Sequence, residues 1–243
     1  MIEKITGIVL DTVRHNDRHN VVTLYTRTRG RMAFLSPVGK GKTGRMRNAR
    51  LMPLSIIEAD VNIRGDRELQ MLGSVTPAVV WHDLYFNPVK SAIVLFLSEF
   101  LNRYLRESSP DTGCWDFIVG SIRMFDEARR GLPNFHLWFL VRFMNIAGIA
   151  PDLENYERGD SFDMRAGIPV AGQAFHQDVL NPAETRMLMT LSRITLANMH
   201  LFRFSGNDRR LVLDRLLRYY AIHFPGLSGL KSPDILSEVF SGK

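Results

Sequence analysis

The chain has 243 residues, of which 45% are hydrophobic and 23% charged, a balance typical of a globular protein rather than of a disordered or fibrous one. Its single cysteine, Cys114, excludes an internal disulfide framework and a zinc site built from several cysteines. The most apolar stretch, residues 137–150, is interrupted by Arg142 and Asn145 and is shorter than the roughly 20 residues that span a bilayer. Because no export sequence is visible among residues 1–20, we expect a cytoplasmic location.

The positive charge of the chain is concentrated in its first third. Residues 1–80 hold 13 basic and 7 acidic residues, whereas residues 81–243 hold 18 of each, so the first segment accounts for the whole net charge of +6. A clustered excess of this kind favours a polyanionic partner for that segment.

Five short segments of residues 1–76, rich in β-branched residues and separated by turns, predict β-strands. They are ITGIVLD, NVVTLYTRT, RMAFLS, LSIIEADVN and ELQMLGSV, with Gly30 at a hairpin turn between the second and the third. Because no helical period separates them, the segments favour a small closed barrel. The OB-fold is the commonest five-stranded form, and an SH3-like barrel would give a similar pattern.

From Asn87 onward the spacing of apolar residues becomes helical. Asn87 and Pro88 form a helix start, and Asn181, Pro182 and Glu184 have the spacing of a capping box. The predicted helices cover residues 87–105, 114–131, 133–148, 181–202, 207–224 and 232–240.

Residues 151–180 interrupt the helices with several glycines and short β-like pieces. We therefore predict an α+β protein, with an N-terminal five-stranded OB-fold barrel in residues 1–80. An all-α helical domain follows in residues 81–243, with a small irregular β-containing insert at 151–180.

The segment SPVGKGKT, residues 36–43, differs at one position from the phosphate-binding P-loop pattern G-x-x-x-x-G-K-[ST], because Ser36 replaces the first glycine. A P-loop needs a long helix directly after Lys42 and Thr43. The following residues, GRMRNARLMPLSI, predict a short basic stretch that leads into a strand, and no helix. A P-loop-like NTPase site at Gly41–Thr43 is therefore the weakest alternative.

A window without acidic residues, from Arg18 to Ile57, surrounds this segment. Its positive charges repel one another unless an anion binds, and the glycines of GKGKTG would let backbone amides approach phosphates. We predict a nucleic-acid-binding surface, on which Tyr25 and Phe34 either stack on bases or fill the core, with core filling favoured for Phe34. The predicted contacts are Tyr25, Arg27, Arg29, Arg31, Lys40, Lys42, Arg45, Arg47 and Arg50.

The sequence offers few groupings suited to catalysis. His15 and His19 flank Asp17, and Glu58 and Asp60 share one face of a strand, but neither arrangement matches a catalytic or metal-binding motif. We predict a binding protein and not an enzyme, with no cofactor and no metal.

Three stretches resemble the family of the bacterial recombination mediator RecO. The first, TGIVLDTVRHNDRHNVVTLYTRTRGRMAFLSPVGKGKTGRMRNARLMPLSIIEAD, has the family's G-I-V-L first strand, T-x-x-x-G-R hairpin and basic G-K loop. The others are FLVRFMNIAGIAPDLENY and YYAIHFPGLSGLKSPDILSEVF, so the resemblance extends over most of the chain.

The resemblance implies an N-terminal OB-fold and a C-terminal helical domain, in agreement with the strand and helix patterns. It also implies binding of single-stranded and double-stranded DNA, annealing of complementary strands, and action with RecR to load RecA onto strands coated by single-stranded-DNA-binding protein. A protein with that role is expected at the nucleoid. On the residues alone, an OB-domain RNA-binding factor remains an alternative.

In one respect the sequence departs from the family pattern. Many members have four cysteines after the central helix that form a zinc site, whereas residues 151–180 contain none. Because His176, Asp160, Asp163 and Asp178 do not reproduce that ligand set, we expect no zinc. Apolar packing should hold the segment instead, through residues such as Phe162, Ile168 and Phe175.

The resemblance further implies contact with the C-terminal tail of single-stranded-DNA-binding protein, which ends in aspartates, an apolar side chain and a free carboxylate. Its site needs an apolar hollow with cations at the rim. The candidate cations are Arg142, Arg203, Arg209 and Arg210. In the alternative interpretation, Arg142 pairs internally with a carboxylate such as Glu99, and Arg209 and Arg210 are simply solvated.

Overall fold

The computed structural model describes residues 2–39, 41–63, 69–172 and 176–241. The chain forms two compact units, Met1–Glu127 and Ala128–Lys243. Two residues with a predicted role, Lys40 and Phe175, lie outside the described ranges. A domain boundary at residue 80 stays a prediction.

The first unit begins with a closed barrel of five strands in the order β1-β2-β3-β5-β4. The strands are β1 (Ile2–Arg14), β2 (His19–Thr26), β3 (Gly30–Pro37), β4 (Ile56–Asn62) and β5 (Gln70–Pro77). Neighbouring strands are antiparallel except β3 and β5, which run parallel and are joined by the pairs Phe34–Gln70 and Leu35–Met71. The predicted five-stranded OB-fold barrel is confirmed.

Successive side chains of a strand point to opposite faces of the sheet, so every second residue points into the barrel and fills it. Val22 and Leu24 on β2 and Phe34 on β3 are fully buried in a core that also contains Val9 and Ile57. Phe34 therefore fills the core and offers no face to a base. The residues between these positions lie on the outer face of the barrel, where OB-folds bind their ligands.

A helix, α1 (Gly41–Arg50), follows β3 where the sequence predicted none. Gly44 is buried in it and Met46 is exposed, so the helix has no apolar stripe from which its period would be visible. Arg47 and Arg50 hold it to β5 by donating hydrogen bonds of 2.8 and 2.6 Å to backbone carbonyls. The prediction of a basic loop without a helix was wrong.

Two further helices of this unit, α2 (Pro88–Tyr104) and α3 (Thr112–Glu127), cover part of the barrel's outer face. The Ser98 hydroxyl on α2 donates to a backbone carbonyl of β1. Tyr25 on β2 places its ring 6.0 Å from the ring of Trp115 on α3. The part of the outer face that β1 and β2 form near Leu10 and Tyr25 is therefore covered by these helices and closed to a ligand.

A buried ion pair joins α2 and α3 to the segment that precedes them. The Lys90 ammonium is fully buried and lies 2.9 Å from the Asp83 carboxylate and 2.7 Å from the carbonyl of Asp126. The Asp126 carboxylate accepts hydrogen bonds from the backbone N–H groups of His82, Asp83 and Leu84. Burial alone would raise the pKa of Asp126, but these hydrogen bonds and Lys90 lower it.

Within the described residues, the second unit contains four α-helices and a small sheet that packs against α5. The helices are α4 (Phe135–Ile146), α5 (Pro182–Ser192), α6 (Gly206–His223) and α7 (Ser232–Ser241). The sheet has the antiparallel order β7-β6-β8, formed by β6 (Ser161–Asp163), β7 (Ile168–Val170) and β8 (Val179–Leu180). The helical domain with a small β-containing insert is confirmed. Across the described part of the chain, no helix is long and apolar enough to cross a membrane.

Helices α2 and α5 begin as predicted, each capped by an asparagine side chain. The predicted helix 181–202 is too long, because α5 ends at Ser192. Beyond it, the Asn198 side chain accepts a hydrogen bond of 2.6 Å from the N–H of Thr195 and donates one of 3.0 Å to the carbonyl of Arg193. Side chains that bond to nearby backbone groups in this way compete with helix formation.

Of the predicted packing residues in the insert at 151–180, one is buried and one is not. Phe162 on β6 is fully buried, as expected, whereas Ile168 is 42% exposed, so its predicted packing role was wrong. Strand β7 lies at the edge of the small sheet, which leaves Ile168 open to solvent.

Candidate nucleic-acid interface

The glycines of GKGKTG allow two backbone segments to touch. A Cβ atom on Gly44 would lie 1.9 Å from the carbonyl oxygen of Gly39, and one on Gly39 would lie 2.4 Å from the Cα of Gly44. Gly41, between them, has a φ of +69°, a left-handed conformation that glycine adopts without strain. Packing at the entry to α1 therefore explains the spacing of these glycines without a bound phosphate.

The same segment differs from a P-loop in its surroundings. Ser36, at the position of the first P-loop glycine, is buried in β3, and its hydroxyl accepts a hydrogen bond of 2.9 Å from Arg47. A P-loop encloses phosphates between a strand and a helix, whereas β3 belongs to the barrel and continues to Pro37. Helix α1 does begin near Lys42 and Thr43, as a P-loop requires. Strand β3, however, includes Ser36 and Pro37, where the phosphate-enclosing loop would begin.

Four predicted nucleic-acid contacts are bonded within the first unit. Arg29 pairs with Glu3 at 2.9 Å, and Arg31 donates a hydrogen bond of 3.1 Å to a side-chain amide of α2. Arg47 and Arg50 hold α1 to β5. Burial lowers the pKa of both Arg31 and Arg47. The positions of these four arginines are explained by the fold itself.

The exposed cations lie at opposite ends of β2. Arg27 follows this strand at the β2–β3 turn, whereas Arg18 precedes it, and Lys42 and Arg45 are exposed on α1. The carbonyl of Arg18 accepts a hydrogen bond of 2.8 Å from the N–H of Val38, so the β1–β2 loop meets the segment that leads into α1. The two ends are roughly 27 Å apart, the length of an eight-residue strand.

We call Arg18, Lys42 and Arg45 the basic end of the barrel. In OB-folds the β1–β2 loop is one of two loops that bind oligonucleotides. Arg18 stands in the acid-free window of the sequence, but only the fold shows that its backbone is bonded to Val38, three residues before the start of α1. Lys40, another of the predicted nucleic-acid contacts, lies outside the described residues.

Tyr25 has no exposed face to offer a base. The residue is fully buried, and its hydroxyl donates a hydrogen bond of 3.2 Å to the carbonyl of Asp111. Burial raises the pKa of Tyr25 above its ordinary value. Of the two alternatives for Tyr25, stacking on bases is wrong and core filling is right, because α3 and the segment before it cover this part of β2.

The polar residues of the insert bind one another and do not fit a zinc ion. His176 Nε2 lies 3.2 Å from an oxygen of Asp163, and the Asp178 carboxylate accepts hydrogen bonds of 2.8 Å from Arg165 and from Arg218. In the ranges that the structure describes, no group of three or more His, Cys, Asp or Glu residues could hold a metal ion. The zinc site that the family resemblance implies for many members has no matching donor set here.

The four candidate tail-binding arginines occupy different environments in the second unit. Arg142 donates a hydrogen bond of 2.6 Å to the carbonyl of Ile194, so its internal partner is a backbone carbonyl and not a carboxylate. Arg203 is exposed. Arg209 and Arg210 line a cavity of about 60 Å³ between α6 and α7, and its apolar lining is Leu213, Leu236 and Phe240.

Arg209 is fixed at this cavity by several contacts. Its guanidinium carbon lies 5.2 Å from the centre of the Phe240 ring, and the group donates to the side chain of Asn134 and the carbonyl of Phe204. Arg210 is more exposed and lies 3.9 Å from Asp234 on α7. The cavity therefore combines an apolar wall with one fixed cation and one exposed cation.

The barrel and the helical unit define the class to which this chain belongs: OB-fold proteins with a C-terminal helical region. Residues 1–79 match the family described as "Recombination protein O N terminal", and residues 85–233 match "Recombination protein O C terminal". The chain belongs to the RecO family of DNA repair proteins.

Similar proteins match along their whole length. The DNA repair protein RecO of Phocaeicola vulgatus is 36% identical over 99% of this chain and 100% of its own. Those of Bacteroides fragilis and Porphyromonas gingivalis are 34% and 35% identical, again over 99% of this chain and 100% of their own.

Proposed function

We propose that the chain is a recombination mediator in DNA repair that binds single-stranded and double-stranded DNA through the basic end of the barrel. The observation that supports this most is the hydrogen bond from Val38 to the Arg18 carbonyl, which joins the β1–β2 loop to the segment before α1, the helix that carries the exposed Lys42 and Arg45. Like charges held together favour a polyanion, and OB-folds bind oligonucleotides through their loops and outer face.

In this proposal the protein anneals complementary strands and acts with RecR to load RecA onto strands coated by single-stranded-DNA-binding protein. Membership of the RecO family supports that role. Annealing forms base pairs and breaks no covalent bond, so the role requires binding groups rather than a catalytic group or a cofactor. We place the protein in the cytoplasm, at the nucleoid, where its DNA substrate is found.

The salt dependence of binding tests the proposed surface. Fluorescence anisotropy with a labelled single strand gives a log–log salt slope of about −0.7 for each phosphate that is neutralised. Replacing Arg18, Lys42 and Arg45 with glutamine should weaken binding and reduce the slope by about 2 units. The matched control changes three exposed arginines of the second unit, Arg158, Arg186 and Arg193. Equal affinity and slope in the two triple variants would overturn the proposed surface.

Competition between DNA and RNA separates the proposal from its alternative. A labelled DNA strand is displaced with unlabelled DNA or RNA of the same sequence and length. A DNA repair role predicts that DNA competes at least as well as RNA. Consistently stronger competition by RNA would favour an OB-domain RNA-binding factor.

We further propose that the acidic tail of single-stranded-DNA-binding protein docks at the cavity lined by Arg209 and Arg210. A peptide that ends in aspartates, an apolar side chain and a carboxylate needs an apolar wall beside cations. Leu213, Leu236 and Phe240 form such a wall. Arg210→Ala should weaken binding of a tail peptide in anisotropy, whereas Arg203→Ala, away from the cavity, should not. If both variants bind as the wild type does, the tail docks elsewhere.

A further inference from the structure

An apolar row crosses the outer face of the barrel on four strands. Val13 on β1 pairs with Val21 on β2, Val21 pairs with Leu35 on β3, and Leu35 pairs with Met71 on β5. Directly paired residues share one face of a sheet. The core residues Val22, Phe34 and Leu72 adjoin three of these positions in sequence and point inward, so the row points outward.

The row is open to solvent at both ends. Val13 is 54% exposed and Met71 is 39% exposed, and the two residues between them are half-buried. Three strand spacings of about 4.8 Å give the row a length of roughly 14 Å. A four-stranded sheet face of comparable width holds two or three bases in RNA-recognition domains.

The two edges of the row differ in character. On one side, toward the β2–β3 turn, Thr23 is buried and Tyr25 is covered by α3. On the other side, three residues before Val21 and roughly 10 Å along the strand, stands Arg18 of the basic end. A ligand on the row therefore meets helices along one edge and positive charge along the other.

This asymmetry favours a nucleic acid strand over an acidic peptide. A single strand has its phosphates along one edge and the apolar faces of its bases along the other, whereas side chains of an extended peptide alternate between two faces. At the basic end the Asp17 carboxylate is paired with Arg14 at 2.7 Å, and Asp11, on the other side of the row, lies where Asn102 of α2 covers β1. The phosphates would lie at the basic end and the bases on the row.

We infer that the row Val13–Val21–Leu35–Met71 is a base-contacting platform that makes the barrel prefer single strands to duplexes. This inference rests on the proposed DNA-binding function and adds a second, uncharged part to the site. In a duplex the base faces are stacked on one another and cannot reach a sheet surface, whereas an unpaired strand can turn its bases outward. Aliphatic side chains offer no hydrogen bonds to base edges, so the platform accepts any base.

The test replaces the row without changing its charge. The variant Val13→Thr, Val21→Thr, Met71→Gln keeps the side-chain shapes, and Val80→Thr, at a position that is 70% exposed, is the control. We expect the triple variant to bind a single strand about tenfold more weakly, roughly the loss of one stacking contact. Its salt slope and its affinity for duplex should match those of the wild type, because the phosphate contacts remain.

A strand of abasic sugar-phosphate units gives a second readout. The wild type should bind it more weakly than a normal strand of equal length, whereas the triple variant should bind the two alike. If the triple variant binds the normal strand as the wild type does, or loses affinity for strand and duplex equally, the inference is overturned. Loss of RecR binding with unchanged DNA binding would instead make the row a protein-docking face and also overturn it. If the triple variant is unstable, the single variant Met71→Gln replaces it in the same measurements. Failure of the wild type to bind DNA at all would reject the proposed function itself.

Discussion

The hydroxyl of Tyr25 and the backbone of Asp111 bond to each other in both directions. The hydroxyl donates to the Asp111 carbonyl at 3.2 Å, and the Asp111 N–H points back to the hydroxyl oxygen at 3.3 Å. The pair joins a barrel strand to the start of α3, across 86 positions of sequence. It explains why an aromatic residue in the acid-free window of the sequence is unavailable for DNA.

Tyr25→Phe should therefore change stability and leave DNA binding unchanged. Removing a buried hydroxyl from this pair leaves the Asp111 backbone groups without that partner, which should lower the free energy of unfolding by about 1 kcal/mol. Urea denaturation measures the first effect, and anisotropy with a labelled single strand measures the second. A loss of DNA affinity in a variant that remains folded would contradict the assignment of Tyr25 to the interior.

Gly44→Ala should destabilise the protein by roughly 1–3 kcal/mol, the usual cost of a side chain forced into occupied space. The added Cβ would collide with the backbone of Gly39, and backbone atoms cannot move aside as a flexible side chain does. Gly120→Ala on α3 is the matched control, since its Cβ meets nothing within 4 Å. Because alanine favours a helix over glycine, the control should gain about 0.5–1 kcal/mol. Thermal melts that show the two variants shifting in the same direction would refute the close approach.

Asp126 should make the protein sensitive to acid. Its pKa is lowered in the folded protein from the ordinary value of 3.8, despite the opposing effect of burial. A carboxyl with a depressed folded pKa stabilises the protein above its unfolded pKa, and this contribution is lost as the pH falls through 3.8 toward the folded pKa. The free energy of unfolding should thus decrease in that window.

Asp126→Asn should weaken this acid dependence and lower stability at pH 7 by about 1–3 kcal/mol, because an amide nitrogen would face a backbone N–H donor. Asp116→Asn, at an exposed position on the same helix, is the control. Urea titrations between pH 3 and pH 7 supply the comparison. An acid dependence that is the same in all three proteins would show that other groups cause it.

Features set by local chemistry could be predicted from the sequence. The five strands follow from β-branched runs between turns, and the capping box at Asn181 is complete within four residues. Helix α1 could not be found in the same way, because its buried residue is a glycine and its remaining residues are mostly polar. Its stability comes from hydrogen bonds that arginines donate to β5, which lies about 25 residues further along the chain.

The candidate site was less predictable than the fold. The acid-free window indicates an anion-binding region, yet four of its arginines bond internally and the exposed ones lie at opposite ends of a strand. Exposure depends on helices that follow much later in sequence, as Tyr25 illustrates. The apolar row was hidden for a different reason: its four residues come from four strands, and only the register of the barrel brings them side by side.

The parallel pairing of β3 with β5 is the place where the barrel should open locally most often. Among the described residues, two residue pairs join β3 to β5, whereas every other pair of neighbouring strands has at least four. Amide protons near Leu35 should therefore exchange with solvent sooner than those at the centre of β2, since opening there breaks few hydrogen bonds. Leu35 and Met71 form one of the two pairs that join β3 to β5. A DNA strand bound across both residues would therefore hold these two β-strands together. Bound DNA would then slow amide exchange most at the β3–β5 pairing, where exchange is fastest in the free protein. DNA binding and the closure of this pairing would thus be coupled.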